Sequence, residues 1–259
     1  MKTKFWKMSG AGNDFILMTA RPKGRSGPAL AKALCDRRRS IGADGLMILS
    51  RRAKSIRLDY WNADGSSAFC GNGSRCAALW AKANGWIKGT EIVIETNRGP
   101  LQARLTSKGR AEVTMPAPKG LRLGLTLKVL NKTVQVHFVD TGVPHAVIFV
   151  PDITKTEVEE LGRAIRFDKT FGKPGANVDF VQIKKNNLLV RTYERGVEGE
   201  TLACGSGVIA AAFVARVLGH GGSPMSVMTR SGDHLSVSFD SSARLEGPGE
   251  ISYTGEIDL

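Results

Sequence analysis

Two cysteines in this chain share an unusual setting. Cys70-Gly71-Asn72-Gly73 and Cys204-Gly205-Ser206-Gly207 stand 134 residues apart, and each runs into an Ala-rich apolar stretch. Glycines at a helix start let the backbone bend sharply and leave the first N–H groups exposed at the positive end of the helix dipole. Such an end takes up a carboxylate or a phosphate. A cysteine there has its thiolate stabilised, so its pKa is expected below the free value of about 8.5. Two acid/base thiols presented to one cleft suit inversion at carbon. One group removes a proton from one face while the other delivers a proton to the opposite face. A carboxylate on that carbon, held by the two helix ends, would have its developing enediolate charge stabilised by oriented N–H groups.

Other chemistries fit the residues poorly. Cys35 and Cys76 read as small buried hydrophobes, one in an amphipathic helix and one inside an apolar one. There is no Cys-x-x-Cys pair, and His137, His145, His220 and His234 lack zinc spacing, so no metal is expected. Gly205-Ser206-Gly207-Val208-Ile209-Ala210 formally matches a dinucleotide fingerprint. No strand directly precedes it, however, and no acidic residue follows until Asp233. Walker and G-x-S-x-G motifs are absent, which removes the P-loop and serine-hydrolase readings.

The elements that must position the two thiols are themselves repeated. Between Cys70 and Gly85, seven of sixteen residues recur 134 positions later, and Gly65 falls on Gly199. Fainter matches lie at shifts of 132 to 134: Ser9–Asn13 with Thr141–His145, Gly42–Asp44 with Gly175–Asn177, and Thr96–Gly99 with Thr229–Gly232. Several matches in order indicate two similar halves. The seam lies in the Pro/Gly cluster Pro116–Gly120. The expected domains are 1–118, completed by 250–259, and 119–249. Short β-branched runs predict strands at Ser55–Trp61, Glu91–Glu95 and Ala111–Met115 in the first half. In the second half they fall at Val134–Val139, Ala146–Val150, Val178–Ile183, Leu188–Tyr193 and Leu235–Phe239. Ser74–Asn84 and Val208–Leu218 predict helices without a polar face, hence buried ones, each ending at a Gly. Pro28–Arg38 and Thr156–Ile165 predict amphipathic surface helices. The fold class is α+β: two pseudo-symmetric domains, each a curved, mostly antiparallel β-sheet wrapped around a buried central helix.

The 259 residues are 42% hydrophobic and 24% charged, which excludes a disordered, collagen-like or coiled-coil chain. No run approaches the roughly 20 apolar residues of a membrane helix, and residues 1–15 lack a signal-peptide block, so a cytoplasmic location and no membrane partner are expected. A net charge of +13 admits a nucleic-acid partner. The basic clusters Arg37–Arg39 and Arg51-Arg52 lack interleaved aromatics, so a basic surface is preferred and no nucleic acid is expected.

Three stretches together closely resemble the diaminopimelate epimerase family over the whole chain. They are Met8–Phe15, Asn62–Ser66 running into Cys70–Cys76, and Glu194–Gly196 running into Ala203–Gly207. The resemblance implies the same two-domain fold and cofactor-independent interconversion of LL- and meso-diaminopimelate, in lysine and peptidoglycan precursor synthesis. It implies Cys70 and Cys204 as the catalytic thiols, with Gly71-Asn72 and Gly205-Ser206 cradling the reacting carboxylate. Asn13, Asn62 and Asn177 resemble substrate-binding asparagines, and Glu194 and Arg195 an acidic-basic pair with Arg195 on a substrate carboxylate. His145 resembles a site histidine that supports catalysis. Val143 and Gly45 stand where many relatives carry Asn and Gln, which removes polar contacts from the substrate's far end. A homodimer is entertained as the assembly, although no residue pattern specifies it. Two rival readings are a sister two-cysteine racemase acting on histidine or proline, and a non-catalytic basic nucleic-acid-binding protein.

Overall fold

Residues 2–185 and 187–259 are described by the computed structural model, and their pairing divides them into two units. The first takes Met1–Thr114 with Glu246–Leu259 and the second Met115–Leu245, against sequence-based breaks after 118 and 249.

In the first unit, β1 (Lys2–Gly10) lies between β17 (Glu250–Asp258) and β2 (Asn13–Met18), antiparallel to both. β2 pairs in parallel with β3 (Gly45–Arg51), and β3 pairs antiparallel with β4 (Ser55–Asn62). β4 is parallel to β5 (Glu91–Thr96), which continues antiparallel through β6 (Gly99–Ser107) to β7 (Arg110–Met115). The second unit repeats this alternation. β8 (Lys119–Val129), β9 (Lys132–Asp140) and β10 (Pro144–Phe149) are antiparallel, and β10 is parallel to β11 (Asn177–Lys184). β11 is antiparallel to β12 (Asn187–Glu194), which is parallel to β14 (Met225–Met228), itself antiparallel to β15 (His234–Phe239). The short β13 (Gly199–Thr201) adds to β12, and β16 (Ala243–Pro248) pairs with β7.

Each sheet has a helix on both faces. In the first unit α1 (Gly27–Leu34) begins at Ser26, whose hydroxyl accepts from the Ala29 N–H, with Pro28 in the first turn. Its Leu30, Ala31 and Leu34 join Phe5, Ile16, Met18, Leu46 and Ile48 in one cluster. The opposite face of the sheet closes on α2 (Gly71–Ala83), which touches β1 to β6 and β17. Gly10 permits this approach: a Cβ there would meet the Cys76 sulfur and the Asn72 carbonyl at 3.0 and 3.1 Å. In the second unit α3 (Val158–Arg166) packs Val158 and Ile165 against Val178, Phe180 and Tyr193. The other face closes on α4 (Gly205–Val217), buried along most of its length and touching β9 to β12, β14 and β15. The α+β fold with a central helix in each half is therefore observed.

The element limits differ from the sequence reading for physical reasons. α2 and α4 start three residues before Ser74 and Val208, because the glycines that lack helix propensity occupy the first turn, where it matters least. α1 stops at Leu34, not Arg38: Cys35 is its C-cap, and Arg37 turns back to Asp14 and Asp44. Among the described residues no helix is long and apolar enough to cross a membrane.

Candidate active site

The two cysteines occupy the same structural position. Each is the N-cap of the central helix in its unit, with extended backbone: φ −133° and ψ 107° at Cys70, φ −112° and ψ 108° at Cys204. Beyond that likeness their surroundings diverge.

Cys70 is half-buried, and its sulfur accepts the Gly73 N–H at 3.4 Å, as an N-cap oxygen would. It also lies 3.6 Å from Asn13 Oδ1, a position for the thiol to donate. The Asn13 amide is fixed in orientation: Nδ2 donates to Asp44 Oδ2 at 2.6 Å, and Oδ1 also accepts from Asn72 Nδ2 at 3.4 Å. Behind Asp44 stands Asp14, bound by Arg37 at 2.6 Å and Lys7 at 2.7 Å. Burial alone would raise Asp14, but hydrogen bonds from Arg37 and Lys7 bring its carboxyl down to about 2. Burial and the neighbouring Asp14 push Asp44 up. Arg75, wholly buried one turn into α2, places a cation near Cys70 and Cys76. Asn62, at the end of β4, donates to Ser66 Oγ at 2.9 Å and so braces the loop leading to Cys70.

Cys204 is 7% exposed, and its sulfur lies 3.4 Å from Ser206 Oγ. Ser206 Oγ lies 3.0 Å from His145 Nε2, and His145 Nδ1 lies 2.7 Å from Asp179 Oδ2. The Thr192 hydroxyl donates to Asp179 Oδ1 at 2.8 Å. Asn177 Oδ1 accepts the Arg195 backbone N–H at 2.8 Å, and its Nδ2 lies 3.4 Å from His145 Nε2. Glu194 Oε2 accepts from the Thr201 hydroxyl at 2.9 Å. The thiol expected to be acidified is not. Burial pushes the Cys204 pKa well above 9.0, and the Glu194 and Asp179 carboxylates add to that shift. Desolvation and two nearby negative charges outweigh the helix dipole. Cys204 therefore stays a thiol at neutral pH.

The structure thus gathers Asn13, Gly71 and Asn72 around Cys70, and His145, Asn177, Gly205 and Ser206 around Cys204. Arg195 is half-buried and has no ion-pair partner among the described residues. Asp179 was missed in the sequence, although a signal exists. Asn177 and Asp179 are two apart in a strand whose first five residues are all buried, so both polar side chains face α4. Their partner helix has no room to spare. A Cβ at Gly207 would sit 2.2 Å from Asp179 Oδ1. Gly207→Ala is accordingly expected to lower stability by about 1–3 kcal/mol, the usual cost of overpacking. Urea denaturation with an unchanged midpoint would disprove this close packing.

Among the described residues no group of three or more His, Cys, Asp or Glu could hold a metal ion. A sequence model of the family described as diaminopimelate epimerase matches residues 5–119 and 137–257. The chain is 44% identical to the diaminopimelate epimerase of Methanocella arvoryzae, over 100% of this chain and 98% of that one. It is 38% identical to that of Aquifex aeolicus, over 98% of this chain and 94% of the relative. Among solved structures, a PhzF-family phenazine biosynthesis protein from Bacillus anthracis superposes with a TM-score of 0.78 at 14% identity, covering 100% of both chains. A probable proline racemase from Agrobacterium radiobacter K84 gives 0.75 at 15% identity, over 99% of this chain and 93% of that one. At such identities the two structures share the fold.

Proposed function

This chain belongs to the diaminopimelate epimerase family, and on that premise we propose that it interconverts LL- and meso-diaminopimelate by two-base proton transfer at the α-carbon. The observation that carries the reading is a cysteine at the N-cap of the buried central helix in each of two like units. One thiolate takes the α-proton and the other thiol returns a proton to the opposite face. The substrate α-carboxylate is held by first-turn N–H groups at Gly71-Asn72 and Gly205-Ser206, which stabilise the enediolate charge as it develops. The scheme requires no cofactor. Its cellular setting is the cytoplasm, in lysine and peptidoglycan precursor synthesis.

At neutral pH Cys204 is the proton donor, since burial and its two carboxylate neighbours keep it protonated. Cys70, whose sulfur accepts an N–H and lies near the Arg75 cation, is the proton acceptor in the same enzyme form. Asn13 and Asn72 orient the Cys70 side of the site, and Asn62, Asn177, Glu194 and Arg195 contribute to substrate binding. Arg195 takes a substrate carboxylate. Arg195→Lys is expected to lower kcat/KM about tenfold or more, because a point charge cannot reproduce a bidentate guanidinium contact. Unchanged kinetics would remove Arg195 from the site.

The function is tested by incubating the protein with LL-diaminopimelate in heavy water. Formation of the meso isomer with deuterium at the inverted carbon is expected, with no label entering histidine or proline. Label in proline and none in diaminopimelate would assign a sister racemase activity instead.

A further inference from the structure

The Cys204 side of the site holds a connected chain of buried polar groups. Asp179 and His145 are both 0% exposed, and they meet at 2.7 Å. With the carboxyl group as acceptor, the tautomer of His145 that fits is the Nδ1–H form, in which Nε2 offers a lone pair. Ser206 Oγ, at 3.0 Å, and Asn177 Nδ2, at 3.4 Å, are both placed to donate to that lone pair. With its own proton turned to His145, Ser206 Oγ is free to accept from the Cys204 thiol at 3.4 Å. Every donor in this series has one acceptor. Thr192 holds the second carboxylate oxygen, and the absence of a side chain at Gly207 lets α4 close on it. At Cys70 the corresponding partner is the Asn13 amide, a group that cannot store a proton.

We infer that Asp179 is a positioning residue of the reaction, holding His145 as the Nδ1–H tautomer so that Nε2 can take and return the Cys204 proton through Ser206. This rests on the two-thiol reading above. When Cys204 must act as the base, its S–H proton passes to Ser206 Oγ while the Ser206 proton passes to His145 Nε2. A thiolate and an imidazolium result, the latter beside the Asp179 carboxylate. When that thiolate has received a substrate proton, the reverse shift returns the proton held on His145. No atom enters or leaves the series. Among the described residues the carboxylates that act on the sulfur are Glu194 from β12 and Asp179 from β11, and His145 from β10 reaches it through Ser206.

The test uses full-length protein without substrate, followed by kinetics. With nitrogen-15 histidine, the NMR spectrum of wild type should show His145 protonated at Nδ1 alone, and Asp179→Asn should populate the Nε2–H tautomer. In a Cys70→Ala background at one fixed alkaline pH, iodoacetamide should alkylate Cys204 severalfold more slowly in Asp179→Asn, because an Nε2–H imidazole can no longer take the Cys204 proton through Ser206. In the Cys70-containing enzyme, Asp179→Asn should lower kcat about 10- to 100-fold with KM little changed. An unaltered tautomer together with unaltered Cys204 alkylation would overturn the proposal, whatever the activity. Should Asp179→Asn fail to fold, Ser206→Ala decides. It removes the hydroxyl that favours the thiolate, so alkylation must slow, and an unchanged rate overturns the relay. These readouts need no substrate, so failure of the epimerase reading would appear separately, as absent deuterium incorporation by wild type.

Discussion

Cys70→Ala and Cys204→Ala are each expected to lose epimerisation by roughly 10²–10⁴-fold, the usual worth of a positioned acid or base. Inversion needs a proton removed from one face and another delivered to the opposite face, and one thiol cannot serve both. Each variant nevertheless keeps one competent group. That group can remove an α-proton from the epimer whose hydrogen faces it and return a solvent-derived proton to the same face. Residual deuterium exchange without inversion is therefore confined to one epimer, and the two variants label opposite ones. Stability must be separated from chemistry at Cys70. Its sulfur accepts the Gly73 N–H, so Ala at that position also costs about 1 kcal/mol of helix capping. Cys70→Ser restores a cap acceptor, yet its hydroxyl is far too weak an acid to act as the base. Inactive Cys70→Ser with a normal unfolding midpoint is the expected result. Full epimerisation by either Ala variant, or equal labelling of both epimers, would sink the two-base scheme.

What the sequence revealed about this molecule was what its short segments carry. Cys-Gly-x-Gly is a local pattern, and its recurrence marks both central helices and the twofold plan. The first-turn glycines hid the true helix starts, since apolar periodicity begins after them. Strands whose pairing is long-range were hardest to find. β17 is largely exposed and finds its partner β1 at the opposite end of the chain, and β8 carries charged and glycine residues along an exposed face. The site divides in the same way. Asn13 stands out in its Gly-rich turn, but its orientation depends on Asp44, thirty-one residues on. Asp179 could be noticed as polar in a buried run, whereas its pairing with His145 is set by the parallel register of β10 and β11, which places His145 opposite Asn177. The thiol of Cys204 shows the limit most clearly. A helix start argues for a lowered pKa, and only the folded neighbourhood of Glu194, Asp179 and near-complete burial reverses the sign. The roles proposed for Asn62, Glu194 and Arg195 rest on family resemblance, since nothing in their spacing specifies a ligand.

Mild oxidation is expected to abolish activity completely by joining Cys70 to Cys204, with dithiothreitol restoring it. Under the two-base reading the sulfurs must approach a single carbon from opposite faces, so with no substrate between them they are expected to come into contact. Cys70 is the more accessible of the two and reacts first: hydrogen peroxide converts its thiolate to the sulfenic acid, releasing hydroxide. The Cys204 thiolate then attacks that sulfur, forming the disulfide and expelling hydroxide. This second step has a defined pH dependence. The Cys204 pKa lies well above 9.0, so between pH 7 and 9 its thiolate fraction rises about tenfold per pH unit, and disulfide closure quickens as pH rises. Cys35 and Cys76 should remain reduced. Burial pushes both thiols up to about 12, at 3% and 0% exposure. The bond needs the two Cα atoms within about 7 Å, so bound diaminopimelate should protect by occupying the gap. Peptide mapping under non-reducing conditions reads the outcome directly. Inactivation with Cys70 and Cys204 unlinked, or a bridge from either to Cys76, would show that the two thiols do not converge on one carbon.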